Sequence, residues 1–301
     1  MDYKKIIKNK SLRLAILNTL SFVPDELMLK IQYRIKIGRK LNLKTPQRYT
    51  EKVQWYKLYY RDSLMKKCVD KYEVREYIES VGLGNILNEC YGVYENVDDI
   101  DFDNLPNQFV LKDTLAGGST SVIICEDKSS VNLDEYKNKM RKWLESDTKC
   151  NYGREWVYDN QKHRIICDKY IDSSSTNGLI DYKFFCFNGK VSHLIVISDR
   201  FTSEKLDLYD CEWNRMSVFQ SDCPNQSRNN LPKPKNFESM ISMAQKLSKG
   251  FPHVRVDFYN IDGNIIFGEL TFFSGSGYYI FTPDSFDFEL GQQFVLPERN
   301  N

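Results

Sequence analysis

The chain has 301 residues, 41% hydrophobic and 28% charged, a balance that excludes both an unfolded chain and one built of membrane spans. Its net charge of +1 hides an asymmetry: residues 1–48 carry twelve Lys and Arg against three Asp and Glu, and the remainder is acidic. A basic arm on an acidic body points to an anionic partner for the arm, while the lack of a basic stripe on the body speaks against nucleic acid. No apolar run reaches the ~18 residues a spanning helix needs. The stretch 12–23 is broken by Arg13, Asn18, Thr19 and Ser21, and no small-residue cleavage site follows it, so it is not read as a signal peptide. None of the eight cysteines forms a Cys-x-x-Cys pair, and the histidines are only His163, His193 and His253. That spacing favours reduced thiols over a disulfide framework and argues against zinc.

Residues 1–66 read as helical: Leu12, Ile16, Leu17 and Leu20 repeat at helical spacing, Pro24 breaks the pattern, and Leu27, Ile31 and Ile35 resume it. Asp70-Lys71-Tyr72 opens a further helix that closes near Gly82 and Gly84. Phe109-Val110-Leu111 is a short buried strand ending in Lys112, followed by a loop with Gly117-Gly118-Ser119-Thr120. Val122–Cys125 is the next strand, and 133–146 a helix with Tyr136, Met140, Trp143 and Leu144 inward. Residues 164–301 read mostly as strand, with Phe237–Lys249 as a helix. Asn188-Gly189 between two apolar runs is a hairpin turn, and a second hairpin runs from Val254 to Phe273. The acidic run 98–103 reads as a solvated loop.

The second hairpin carries the most chemistry. A three-residue loop at 262–264 sets Asp257 against Glu269 and Arg255 against Thr271, all on one face, with Val256 and Leu270 on the other. Two carboxylates so close repel unless a cation joins them, and oxygen ligands at that separation suit Mg²⁺ on nucleotide phosphates. A two-residue turn would instead pair Asp257 with Gly268, and the alternative reading is a solvated strand. Lys112 before a glycine loop has the logic of a phosphate cradle, in which backbone N–H groups approach an anion and the ammonium neutralises it. A mobile loop is the plainer alternative. Lys183 shares a strand face with Asp181 and becomes a second phosphate contact if the other residues join it. No Ser-His-Asp or Cys-His nucleophile arrangement is evident.

The ordered set Asp70-Lys71-Tyr-x-Val-Arg75, Phe-Val-Leu-Lys112, Lys169-Tyr170-Ile171, Asp181-Tyr-Lys183-Phe-Phe-Cys-Phe-Asn-Gly189 and Arg255-Val-Asp257-Phe-Tyr…Gly268-Glu269-Leu-Thr271 resembles the TupA-like branch of the ATP-grasp superfamily, from about residue 25 to Pro297. The resemblance implies an α+β ATP-grasp fold, two α+β subdomains holding ATP between their sheets. The expected division is a basic helical region over 1–66, an N-terminal subdomain over 67–165 and a C-terminal subdomain over 166–301. It also implies Mg-ATP chemistry that activates a carboxylate as an acyl phosphate for attack by an amine. By motif, Lys112 and Lys183 are similar to the phosphate-binding lysines, with Gly117, Gly118 and Ser119 as the loop and Lys71 as an upstream basic residue. Asp168, Lys169, Tyr170 and Ile171 are similar to the hinge that reads adenine through backbone groups. Asp257, Glu269 and Thr271 are similar to the Mg²⁺ ligands, Thr271 standing where many relatives have Asn. Arg255 would meet the transferred phosphoryl group. Asp113-Thr114 departs from an Asn-His that often follows the lysine and sets a carboxylate beside the phosphates.

The resemblance further implies a role in cell-surface polysaccharide synthesis. The expected partners are a carboxylate acceptor (a uronic acid, or a nucleotide- or lipid-linked glycan) and an amine or amino acid. The expected location is the cytoplasm, with residues 1–22 touching the inner face of the membrane and no nucleic acid bound. The alternatives are a glycosyltransferase of the same setting, a kinase that leaves the phosphoryl group on a hydroxyl, and a non-catalytic nucleotide-binding module.

Overall fold

The computed structural model describes residues 19–117, 121–146, 153–173, 178–199, 202–220 and 226–299. Its helices are α1 (Asp25–Ile37), α2 (Tyr49–Tyr59), α3 (Ser63–Val69), α4 (Val74–Ser80), α5 (Leu133–Leu144), α6 (Phe237–Ser248) and α7 (Ser285–Gln293). Its strands are β1 (Cys90–Tyr94), β2 (Phe109–Asp113), β3 (Val122–Cys125), β4 (Ile165–Lys169), β5 (Asp181–Phe187), β6 (Lys190–Ser198), β7 (Lys205–Tyr209), β8 (Phe219–Gln220), β9 (His253–Ile261), β10 (Asn264–Thr271) and β11 (Phe281–Thr282). The chain divides into two compact units: Ser63–Lys149 with Val157–Asn177, and Met1–Asp62 with Cys150–Trp156 and Gly178–Asn301.

The smaller unit is an antiparallel sheet in the order β1-β4-β2-β3. Along β2 the side chains alternate, so Phe109 and Leu111 enter the core while Val110 and Lys112 face the other way. Ile123, Cys125, Ile165 and Cys167 complete that apolar face, and Met140 of α5 covers it. Tyr136, Trp143 and Leu144 pack around Met140 at its edge, as the helical spacing expects. Asn132 starts α5 by accepting from the N–H groups of Asp134 and Glu135, a cap worth about 1 kcal/mol. In the acidic run, Asp98, Asp99, Asp101 and Asp103 are exposed, and Ile100 and Phe102 between them are core residues. That run is a solvated loop fixed by two apolar anchors.

The larger unit holds a five-stranded antiparallel sheet, β10-β9-β5-β6-β7, and a two-stranded β11-β8 pair. Asn188 and Gly189 form the expected turn between β5 and β6, both with positive φ (50° and 77°). One sheet face carries Phe184, Val256 and Phe258 and packs under α6, with the Phe184 and Phe237 rings 6.1 Å apart. The opposite face is divided. At one end Phe185, Phe187 and His253 are buried beneath Tyr49 of α2. At the other end the same face is polar.

Residues 164–301 are not mostly strand toward their end: Ser285–Gln293 is α7. The acid-aromatic alternation there looks like a strand, but Phe286 and Leu290 share a helical face, and Asp287 is held by the Thr50 N–H and hydroxyl at 3.0 and 2.8 Å. In α1 the helical period is right, but the buried side is Met28, Leu29, Gln32 and Tyr33, and Leu27, Ile31 and Ile35 are exposed. Of the amphipathic stripe at Leu12, Ile16, Leu17 and Leu20, all but Leu20 lies outside the described residues.

Candidate active site

The polar end of the larger sheet is built by the β9–β10 hairpin. Its turn has two residues, Asp262 and Gly263, at φ 53° and 97°, so Ile261 pairs with Asn264. The three-residue loop is therefore wrong, and the register leaving the turn would bring Gly268 opposite Asp257. A β-bulge at Gly268 restores the predicted pairing: Glu269 opposes Asp257, Leu270 opposes Val256 and Thr271 opposes Arg255. Glycine is needed there because a Cβ would sit 3.0 Å from the Asp257 carbonyl oxygen.

Lys183 joins from the other side, opposite Asp257 on the β5–β9 ladder. Its ammonium lies 2.5 Å from Asp257 Oδ2 and 3.7 Å from Asp181 Oδ1. Arg255 donates from Nε to Asp257 Oδ1 and from Nη2 to Asp257 Oδ2, both at 2.7 Å, and Nη2 also reaches Glu269 Oε1 at 2.7 Å. The cation that joins the two facing carboxylates is thus supplied by the protein. Burial opposes charge on Arg255, but Asp257 and Glu269 outweigh it and hold the guanidinium well above its usual value. Burial likewise pulls Lys183 down, and Asp257 reverses it to a net rise. Thr271 donates to Glu269 Oε1 at 3.2 Å. All five residues predicted around this hairpin, Lys183, Arg255, Asp257, Glu269 and Thr271, share one face.

Two residues extend the cluster beyond the sequence reading. Ser274 Oγ accepts from Arg255 Nη1 at 2.9 Å and lies 2.7 Å from the Tyr279 hydroxyl. Ser274 opens a Ser-Gly-Ser-Gly turn and Tyr279 follows it; the composition is that of any loop, and only their nearness to Thr271 could have flagged them. Behind the turn, fully buried Lys57 donates to Ser276 O at 2.8 Å, Ser276 Oγ at 2.7 Å and Gly153 O at 2.9 Å. Burial drives its ammonium down to about 7. A lysine inside a helical aromatic run gave no sign of this.

A divalent cation fits the donor chemistry of this face. Asp257, Glu269 and Thr271 set hard oxygen atoms side by side, and a cation there would share Asp257 and Glu269 Oε1 with Arg255 and Lys183. Among the described residues no group of three or more His, Cys, Asp and Glu could hold a metal alone. Two carboxylates and a hydroxyl are a donor set that suits Mg²⁺, which keeps water and phosphate oxygens in its shell, better than a cation needing a full protein cage.

The smaller unit carries the other predicted residues. Lys112 donates to Asp168 Oδ2 at 2.9 Å, across two rows of the β2–β4 ladder. The second oxygen of this carboxylate, Oδ1, is buried and meets no hydrogen-bond donor. Asp168, expected to act through its backbone, is thus the counter-ion of Lys112. Lys169 has its N–H on Glu89 O at 2.9 Å and its carbonyl on Asn88 Nδ2 at 2.7 Å, so both its backbone groups are engaged within the unit. Tyr170 and Ile171 follow β4, half-buried. Lys71 Nζ donates to Ala116 O at 2.5 Å at the root of the glycine loop. Gly117 has open space where a side chain would stand; Gly118 and Ser119 lie outside the described residues. Asp113 does not lie on the Lys112 face: it is buried, with His163 Nδ1 at 2.8 Å and the Leu115 N–H at 3.0 Å. The strand alternation that separates Lys112 from Asp113 removes the concern about an extra carboxylate beside that lysine.

The model of the TupA-like ATPgrasp family matches residues 51–295. No curated protein matches the chain. Similar solved structures include the D-alanine–D-alanine ligase of Bacillus anthracis complexed with ATP, at 17% identity over 68% of this chain and 54% of that one, TM-score 0.40. The Helicobacter pylori D-alanine–D-alanine ligase gives 17% identity over 76% and 61%, TM-score 0.40. The biotin carboxylase domain of the Hydrogenobacter thermophilus 2-oxoglutarate carboxylase gives 17% over 69% and 40%, TM-score 0.43. The chain thus spans 54% and 61% of the two ligases, little more than half their length.

Proposed function

The chain belongs to the TupA-like ATPgrasp family, and from that premise we propose that it is an ADP-forming ligase joining a carboxylate to an amine. The observation that carries the reading is the one-face cluster of Lys183, Arg255, Asp257 and Glu269, assembled by a bulge placed at Gly268. A carboxylate oxygen of the acceptor takes the γ-phosphoryl group and releases ADP. The amine then attacks the acyl carbon and expels phosphate. Both steps gather negative charge, so positioned cations lower the barrier more than any protein nucleophile would.

Lys183 and Arg255 neutralise the phosphoryl oxygens, Arg255 nearest the group in transit. Asp257, Glu269 and Thr271 would hold Mg²⁺, which supplies further charge neutralisation on the phosphates. In the smaller unit Lys112 binds phosphate, Lys71 and Gly117 shape the loop beside it, and the segment from Asp168 to Ile171 reads adenine. The backbone N–H and carbonyl of Lys169 are taken by Glu89 and Asn88, so Tyr170 and Ile171 carry the backbone reading. Substrates are a uronic acid, or a peptide on a cell-surface glycan, and an amine such as an amino acid. A membrane-linked acceptor would place the enzyme at the inner membrane face.

The test is ADP and phosphate release from Mg-ATP across a panel of uronic acids, without and with a nucleotide carrier, each paired with amines, with mass spectrometry of the product. The expected result is a condensed product and ADP plus phosphate only when acid and amine are both present. Glu269→Gln should lower turnover by about two orders of magnitude with an unchanged melt, since an amide is a poor Mg²⁺ ligand. ADP without phosphate would instead indicate a kinase, and sugar-nucleotide consumption without ATP a glycosyltransferase.

A further inference from the structure

The outward side of α1 has two parallel ridges. Leu27, Ile31 and Ile35, four residues apart, are 51%, 44% and 45% exposed. Glu26, Lys30 and Arg34 form the neighbouring ridge, also exposed. Phe22, three residues ahead of the helix, is 81% exposed. The inward side, Met28, Leu29, Gln32 and Tyr33, is buried against the unit's own core. Among the described residues the apolar ridge is left half-exposed, and burying it would remove three branched side chains and a phenyl ring from water.

The charge around the ridge selects what covers it. Both acids of the helix are already compensated: Glu26 by Lys30 at 2.5 Å, Asp25 by Arg154 at 3.0 Å. The exposed charged residues that follow, Arg34, Arg39, Lys40 and Lys44, are all basic, Arg39 being paired with Asp284 at 2.7 Å, and residues 1–48 as a whole carry twelve basic against three acidic side chains. An apolar ridge bordered by basic side chains is the pattern of a helix lying in the plane of a bilayer. The apolar row sinks to the acyl boundary, and the lysine and arginine stems rise to the phosphates. Thirteen residues span about 20 Å, too short to cross and long enough to lie flat. The apolar area is small, so the basic residues must supply much of the binding, each adding roughly fivefold to partition onto an anionic leaflet.

We propose that the Phe22, Leu27, Ile31 and Ile35 face of α1, with Arg34 and Lys40 near it, docks reversibly on an anionic lipid surface. This rests on the membrane location in the reading above and not on the ligase chemistry, so it can fail without that chemistry failing. The test is sedimentation of the full chain with vesicles of phosphatidylcholine alone or with 30% phosphatidylglycerol, at low and high salt. Binding should require the anionic lipid and fall with salt. The triple change Leu27→Ser, Ile31→Ser, Ile35→Ser should cut partition at least about tenfold and leave the melt unchanged, because the ridge contributes nothing to the core. A second variant, Ile31→Trp, should gain quenching by brominated phosphatidylglycerol vesicles beyond that of the four native tryptophans.

Three outcomes overturn the proposal. The full chain ignores anionic vesicles. The triple variant melts like a core variant or changes oligomeric state, which makes the ridge a covered protein surface. Or a chain lacking residues 1–18 loses all binding while the triple variant keeps it, which assigns the contact to the arm alone.

Discussion

Lys112 and Asp168 hold each other at 2.9 Å, with the rest of the Asp168 carboxylate buried and short of donors. The lysine therefore has a structural task as well as the proposed nucleotide one, and the two can be separated. Lys112→Met keeps the stem and removes the charge, which leaves Asp168 buried without its cation, at about 1–3 kcal/mol. Lys112→Met with Asp168→Asn removes the stranded charge and should recover most of the melt. ATP affinity, by contrast, should stay low in both, by about 1.5–3 kcal/mol for a lost charge-assisted hydrogen bond. Calorimetric titration and thermal melts on the two variants check this. Recovery of ATP affinity in the double variant would leave Lys112 with only its structural role. The pair was half legible in the sequence. A lysine closing an apolar strand before glycines stands out, whereas Asp168 lies in a Cys-Asp-Lys-Tyr string that gives no hint of what faces it across the sheet.

The β9–β10 hairpin turns on a single residue. Without the bulge at Gly268 the two-residue turn would carry Glu269 out of line with Asp257. Gly268→Ala puts a methyl 3.0 Å from the Asp257 backbone oxygen, and a ladder carbonyl cannot move aside cheaply. The expected cost is about 1–3 kcal/mol in urea unfolding, with a larger fractional loss in Mg²⁺-dependent turnover, because the strain falls on the residue that bonds both Arg255 and Lys183. Wild-type turnover in a destabilised Gly268→Ala would mean that the bulge serves the fold alone. Asp-Gly before an alternating strand reveals the turn, and the glycine at 268 reveals a place for a bulge. Turn and bulge each shift the register by one, and sequence reasoning reached the right pairing by giving the turn the extra residue that the strand in fact holds at Gly268. Elements with a strong local signal, such as the Asn188-Gly189 hairpin and α5, were legible for that reason. Helix α7 and the Ser274–Tyr279 support of Arg255 depend on contacts far along the chain and were not.

Buried titratable groups make the larger unit a pH-sensitive object. His193 and His253 are fully buried on the packed end of the sheet face, His193 stacked on Phe185 at 4.5 Å and His253 on Phe187 at 4.7 Å. Burial holds both neutral, at about 3 for His193 and about 4 for His253 against an ordinary 6.5. The unfolded chain takes up those protons below 6.5 and the folded chain does not. Stability is therefore fully present above 6.5 and drains as pH falls toward 4, at up to about 1.4 kcal/mol per pH unit for each ring. Lys57 acts in the same direction at higher pH. Its folded value near 7 lies below the ordinary 10.5, so the unfolded chain holds an extra proton between them, and stability rises from pH 7 toward 10.5. Tyrosines set the upper limit: burial lifts Tyr182 to about 12 and raises Tyr49 and Tyr56 well above their ordinary value, so above pH 10 the unfolded chain alone ionises them. The maximum should lie near pH ~9–10, displaced from neutrality by Lys57. Urea unfolding from pH 4 to 10.5 measures the profile. His193→Phe keeps a ring between Phe185 and Phe286 and removes one proton site, so the acid limb should lose about half its slope. Lys57→Met should flatten the limb between 7 and 10.5 and leave the acid limb in place. An acid limb that keeps its full slope in His193→Phe would show that carboxylates, not the buried imidazoles, govern acid unfolding.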